Sequence, residues 1–236
     1  MDTQLNTNSV TDKNPDNGHL LDVFEIRVLA VLAEKEALTP DNYPLSVNAL
    51  VNGCNQLSSR DPVMSISEST VQDILQRLMQ RKFVAEVRQA GARVSKYEHR
   101  LRMVWMLEQD KLAILTQLML RGIQTAGEIR SRCVRLYDFS SITEVESGLQ
   151  FLIDKYPPLV ACLPKAPGTK ESRYVHLLSG DDVLTRQGAA AGFAGSANIE
   201  SSRHDRIGQL EEEVVRLHRE VDWMTEQFES FRKQFD

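Results

Sequence analysis

The chain has 236 residues, with 28 Lys and Arg against 33 Asp and Glu, a formal charge of −5, and 42% hydrophobic but only 6% aromatic side chains. That composition excludes a disordered or fibrous chain and leaves room for one large or two small folded domains, while the net acidity argues against a broadly basic nucleic-acid binder. The longest run without charge or strong polarity is far too short for a membrane helix, and Met1-Asp2-Thr3-Gln4 lacks the basic-then-apolar order of an export signal, so a cytoplasmic protein without membrane association is expected.

Residues 1–19 are rich in Asp, Asn, Thr and Ser and read as a disordered tail. From Leu20 the pattern turns apolar. Phe24, Val28, Val31 and Leu32 recur at helical spacing and predict a buried first helix ending before Thr39-Pro40. Its last turn carries Glu34-Lys35-Glu36, read as a solvated charge run. Ser46 caps a second helix through about Gln56, on which Asn48, Asn52 and Asn55 share a face and are expected to brace the Ser58-to-Asp61 loop. Ser65 and Glu68 have capping-box spacing and open a third helix with Val71, Ile74, Leu75 and Leu78 inside. Phe83–Arg88 and Arg93–Arg100 follow as two strands around a Gly91 turn. Three helices and then a hairpin is the order of a winged helix.

The same order then repeats. Lys111–Leu120 is a helix ended by Gly122. Thr125 with Glu128, and Ser141 with Glu144, have capping-box spacing, and the second pair starts a helix lined by Val145, Leu149, Leu152 and Ile153. Leu159–Leu163 and Ser172–Leu178 are the hairpin strands. Ser95-Lys96-Tyr97-Glu98-His99-Arg100-Leu101 matches Ser172-Arg173-Tyr174-Val175-His176-Leu177-Leu178 at an offset of 77, and Cys54 matches Cys133 at 79. The fold class is therefore mainly α with small β hairpins: two tandem winged-helix domains, 20–102 and 103–180. A flexible linker follows at 181–204, where 11 of the 16 residues from Gln187 to Ser202 are Gly, Ala or Ser. In the last segment, 205–236, Ile207, Leu210, Val214, Leu217, Val221, Met224, Phe228, Phe231 and Phe235 alternate spacings of three and four. That seam predicts a coiled-coil helix and a homodimer, and a helix folded back onto its own domains is the alternative.

The chain resembles the YceH-like family of bacterial proteins. The likeness is carried by Thr39 to Leu50, Cys54-Asn55-Gln56, Arg60-Asp61-Pro62-Val63-Met64, Lys96-Tyr97-Glu98-His99-Arg100, Leu120 to Thr125 and the Leu163-to-Gly180 segment. It implies tandem winged-helix domains and brings no established activity, substrate or catalytic residue. The tract Gly188-Ala189-Ala190-Ala191-Gly192 departs from the family pattern.

In a winged helix that binds duplex DNA, the third helix enters the major groove and the hairpin grips phosphate. The first copy offers Ser69, Gln72, Gln76, Arg77 and Gln80 on that helix, beside Asp73, and Arg88, Arg93, Lys96 and Arg100 on the hairpin. Gln and Arg have the donor geometry to read adenine and guanine edges. The second copy presents Glu144, Glu146, Gln150 and Asp154 instead, and carboxylates repel phosphate. Its Arg130, Arg132 and Arg135 suit a protein partner or a side contact with a backbone. His99 and His176 hold equivalent strand positions and read as hairpin packing. Cys54, Cys133 and Cys162 are scattered and read as small core residues, with no disulfide framework or zinc spacing. No nucleophile elbow, phosphate loop or metal motif occurs, so neither catalysis, nor a cofactor, nor a metal is expected. The leading reading is a dimeric, regulator-like DNA-binding protein; the alternative is a protein-interaction scaffold. Divided along the chain, the charge is +1 over 20–102, +2 over 110–178 and −5 over 179–236, so both predicted copies are slightly basic.

Overall fold

The computed structural model describes residues 20–88, 94–165 and 171–180. The chain divides into two units, and the second, 188–236, lies outside the described residues, as do the tail and the predicted coiled coil. Among the described residues the protein is mainly helical, with two small antiparallel sheets.

α1, Val23–Leu38, starts from a capping box the sequence reading missed. The Asp22 carboxylate accepts from Phe24 and Glu25 N–H, and Glu25 accepts from Asp22 N–H. Apolar residues surround the middle of this helix, and Ile26 to Ala33 are buried on every side. Phe24 does not join them: it is 42% exposed, while the next residue, Glu25, turns inward to meet Arg77 and Arg81.

α2, Val47–Cys54, is capped by Ser46 and stops two residues short of expectation. Asn55 leaves the helix to donate to the Ile66 carbonyl and accept from the Ile66 N–H, at 2.9 and 2.7 Å. That pair of hydrogen bonds to one residue replaces the expected bracing of Ser58 to Asp61; Asn52 instead bonds Asn48. It also fixes where α3 begins. α3, Glu68–Gln80, is capped by Ser67, whose Oγ accepts from Thr70 N–H, and not by Ser65. Val71, Ile74, Leu75 and Leu78 form its buried face, as expected.

β1, Val84–Val87, pairs antiparallel with β2, Lys96–His99. α4, Leu101–Trp105, then joins this first half to α5, Gln109–Arg121. α5 ends where Gly122 takes φ 69°, a left-handed value that suits glycine. β3, Gln124–Thr125, leads into α6, Ala126–Cys133, and here the expected capping box of Thr125 and Glu128 is present. α7, Ile142–Asp154, is capped by Ser141, but Glu144 reaches Ser140 N–H and Oγ rather than closing a box. β4, Val160–Leu163, and β5, Arg173–His176, complete the second half.

The two halves repeat in register. Val84 pairs with His99 in β1–β2, and Val160 with His176 in β4–β5. β3 adds a third strand to the second sheet through Gln124 and Tyr174; the first half has the same feature reduced to one bridge, Leu45 to Tyr97. α1 and α5 pack on each other, so one continuous hydrophobic core runs through both halves. Two backbone bonds also cross between them, Leu21 N–H to the Leu178 carbonyl and Asp61 N–H to the Leu120 carbonyl.

Candidate nucleic-acid interface

The face of α3 opposite its buried row carries Ser69, Gln72, Gln76 and Gln80, all exposed. Gln72 Nε2 lies 3.5 Å from Glu68, a marginal contact, and Ser69 shares its hydroxyl with Ser67 at 2.9 Å. These amides stand out from a rigid helix as the sequence predicts. Arg77 is placed differently. It donates to Glu25 at 3.1 Å and to Asp22 at 2.7 Å, and those bonds hold its guanidinium above the ordinary range. Arg81, one turn on, donates to Glu25 and the Leu20 carbonyl and lies over the Phe83 ring. The arginines at the C-terminal end of α3 therefore clamp the start of α1.

On the hairpin, Arg88 is exposed and paired with Glu86 at 3.0 Å, and Arg100 is paired with Glu98 at 3.6 Å. Hydrogen bonds from Ser95 and then Arg88 hold the Glu86 carboxyl below its usual value. Lys96 is half-buried at the start of β2. Arg93 lies outside the described residues, as do the dimerisation candidates Ile207, Leu210, Val214, Leu217, Val221, Met224, Phe228 and Phe231. α3 packs on β1, so the amide row and the hairpin belong to adjoining elements.

The charges that sequence reasoning missed are buried. Arg60, 6% exposed, meets Glu34 through two bonds at 3.0 and 2.6 Å, and also bonds Gln56 and the Gly53 and Ser59 carbonyls. Burial pushes the Glu34 carboxyl up, but the Arg60 bonds and the Arg60 and Lys35 charges outweigh it and leave the group below its ordinary value. Arg27, 1% exposed, donates to the Cys54 and Pro62 carbonyls, and burial lowers its pKa. Glu36 accepts from Arg102 and meets His99 Nε2 at 3.2 Å, while His99 Nδ1 accepts from Leu101 N–H. Glu34-Lys35-Glu36 is thus not a solvated run: two of its carboxylates fasten the α2–α3 loop and the end of the hairpin to α1. The available signal was α1 itself, which is apolar on every side and so must pair any charge it carries.

In the second half, α7 exposes Glu146, Gln150 and Asp154, and Gln150 bonds Asp154 at 2.8 Å. Glu144 turns back instead, accepting from Ser140 and Tyr137. Cys54 and Cys133 end equivalent helices in the core, and burial pushes both thiols up to about 12. Among the described residues no cluster of His, Cys, Asp and Glu is arranged to hold a metal, and no helix is long and apolar enough to cross a membrane.

A family described as proteins of unknown function, DUF480, matches residues 21–169. The chain belongs to this family. The YceH-like label read from the sequence fits the DUF480 proteins. Over its full length the chain is 61% identical to a UPF0502 protein of Herminiimonas arsenicoxydans, covering all of that relative too. A UPF0502 protein of Janthinobacterium is 66% identical over 94% of both chains, and one from Geobacter sulfurreducens 42% identical over 92% of this chain and 99% of its own. The DUF480 match spans α1 to β4, so it covers most elements of both halves.

Proposed function

We propose that this chain is a non-enzymatic protein that binds double-stranded DNA, built from two tandem winged helices and acting as a homodimer through a C-terminal coiled coil, in the manner of a transcription regulator. The observation that carries this reading is α3. Ser69, Gln72, Gln76 and Gln80 stand exposed along a helix whose other side is locked in the core, and the chain runs from it directly into a hairpin bearing Arg88, Lys96 and Arg100. Amide side chains on a fixed helix can make paired bonds to adenine, and hairpin cations supply the sequence-independent phosphate term. The ion pairs of Arg88 and Arg100 are surface pairs, worth little, and phosphate displaces their carboxylates at small cost.

Anisotropy titration of a fluorescein-labelled duplex at low salt tests the proposal. Four phosphate contacts per protomer contribute about −3.6 to the log–log salt slope, at ~0.9 per contact, and the R88A/R93A/K96A variant loses affinity and flattens the slope by about 2.7 per protomer. Wild-type protein that leaves the duplex free, or a variant with unchanged affinity, rejects it. A scaffold is the second reading, favoured by the outward carboxylates Glu146 and Asp154 on α7. A stoichiometric protein partner that survives nuclease treatment supports that reading instead.

A further inference from the structure

α6 and the turn after it enclose a groove away from the proposed reading helix. Gly127, Arg130, Ser131 and Val134 recur at three and four residues and form one stripe, faced by Phe139 and by Ile142, the first residue of α7. The space between them is about 200 Å³. Gly127 leaves it open: a Cβ there would meet only Thr125 Oγ1, at 3.9 Å. Val134 and Ile142 are 56% and 47% exposed. Single exposed aliphatics are ordinary, but two lining one cleft give an apolar side chain somewhere to be buried.

Charge specifies what would accompany that side chain. Arg130 donates to the Phe139 and Ser140 carbonyls, both at 3.1 Å, which fixes the guanidinium beside the groove, and no carboxylate among the described residues pairs with it. Arg135 is exposed nearby on the chain and also lacks a partner among the described residues. The neighbouring acids are engaged, Glu128 with Arg132 and Glu144 with Ser140 and Tyr137. Asp138 also lines the groove and Glu144 keeps its charge, so the attraction for a carboxylate is local to Arg130, the cation in the lining. A nucleic-acid backbone has no aliphatic group to fill the cleft.

We propose that this groove docks a peptide segment of a partner protein, burying one large apolar side chain between Val134 and Ile142 and setting an adjacent carboxylate on Arg130. The guanidinium is already held in place, so less ordering accompanies the charge-assisted bond. The site lies in the half that does not read DNA and stands independently of that reading.

The test uses full-length protein and fluorescein-labelled peptides with a central Leu, Phe or Trp flanked by Asp and Glu, beside matched peptides with a central Ala or with Lys flanks. Acid-flanked peptides with the large residue are expected to bind at least about tenfold tighter than either control, as removing a buried anchor does at interfaces. G127L fills the groove on a helix that tolerates a side chain there, and is expected to lose about tenfold in peptide affinity with duplex binding unchanged and a thermal midpoint no lower than wild type. D138N removes the opposing carboxylate and tightens binding about threefold, a gain a damaged fold would not give. If no acid-flanked peptide outbinds its controls, or if G127L binds as tightly as wild type, the groove is not a docking site.

Discussion

Arg77 shows how a residue's position and its availability come apart. Its place on α3 suits guanine recognition, yet its Nε and Nη2 are taken by Glu25 and Asp22, more than fifty residues earlier. DNA contact there would exchange two carboxylates for one base edge, which returns little. His176 shows the reverse case, a group whose burial has a measurable consequence. It is 7% exposed, its Nδ1 has no partner among the described residues, and burial lowers its pKa to about 4. A histidine kept neutral in the fold binds its proton more readily when unfolded. Its contribution is therefore fully present above pH 6.5 and is lost as pH falls from about 6.5 towards 4. Wild type should lose about 2 kcal/mol of unfolding free energy between pH 7 and 5 from this residue, and H176F should flatten that limb in urea titrations. The Glu34 and Glu36 carboxyls, both lowered, lose their part only below about pH 4.5, so the two windows separate.

At the scale of elements, the distance between helices decides what a small substitution does. Gly53 lies in α2 with Val31 of α1 so close that a Cβ would come within 2.5 Å of Cγ1. Alanine normally helps a helix by about 1 kcal/mol over glycine, but overpacking against a branched, fully buried valine costs about 1–3. G53A is expected to lower stability by about 1 kcal/mol net, and G127A, which meets nothing closer than 3.9 Å, to raise it by up to about 1, both read from denaturant midpoints. The helices and main strands were legible because their apolar spacing is local, and so was the exposed amide row of α3. The cap of α3 was not. Ser65 and Ser67 both suit a cap, and the choice rests on Asn55 pinning Ile66 from eleven residues away. The buried ion pair of Arg60 and the exposed ones of Arg77 were hidden for the same reason: their partners meet only once the helices pack. α4 and β3 were too short to announce themselves.

For the whole molecule, the packing of α1 on α5 makes the two halves share one core, so α3 is fixed with respect to the groove on α6. The proposed coiled coil adds a second scale of coupling. Sedimentation should find full-length protein dimeric and a chain lacking 205–236 monomeric. Truncation should also halve the salt slope of duplex binding, because half the phosphate contacts leave with the partner. A monomeric full-length chain would remove the dimer while leaving each α3 intact. The shared core carries one more consequence. A core shared in this way is expected to make the two halves unfold together, so that a ligand on one is felt by both. A peptide held in the groove at a hundred times its dissociation constant would raise the unfolding free energy of the first half by about 2.7 kcal/mol. Occupancy of one surface would thus protect the other from heat and proteolysis without any side chain changing position.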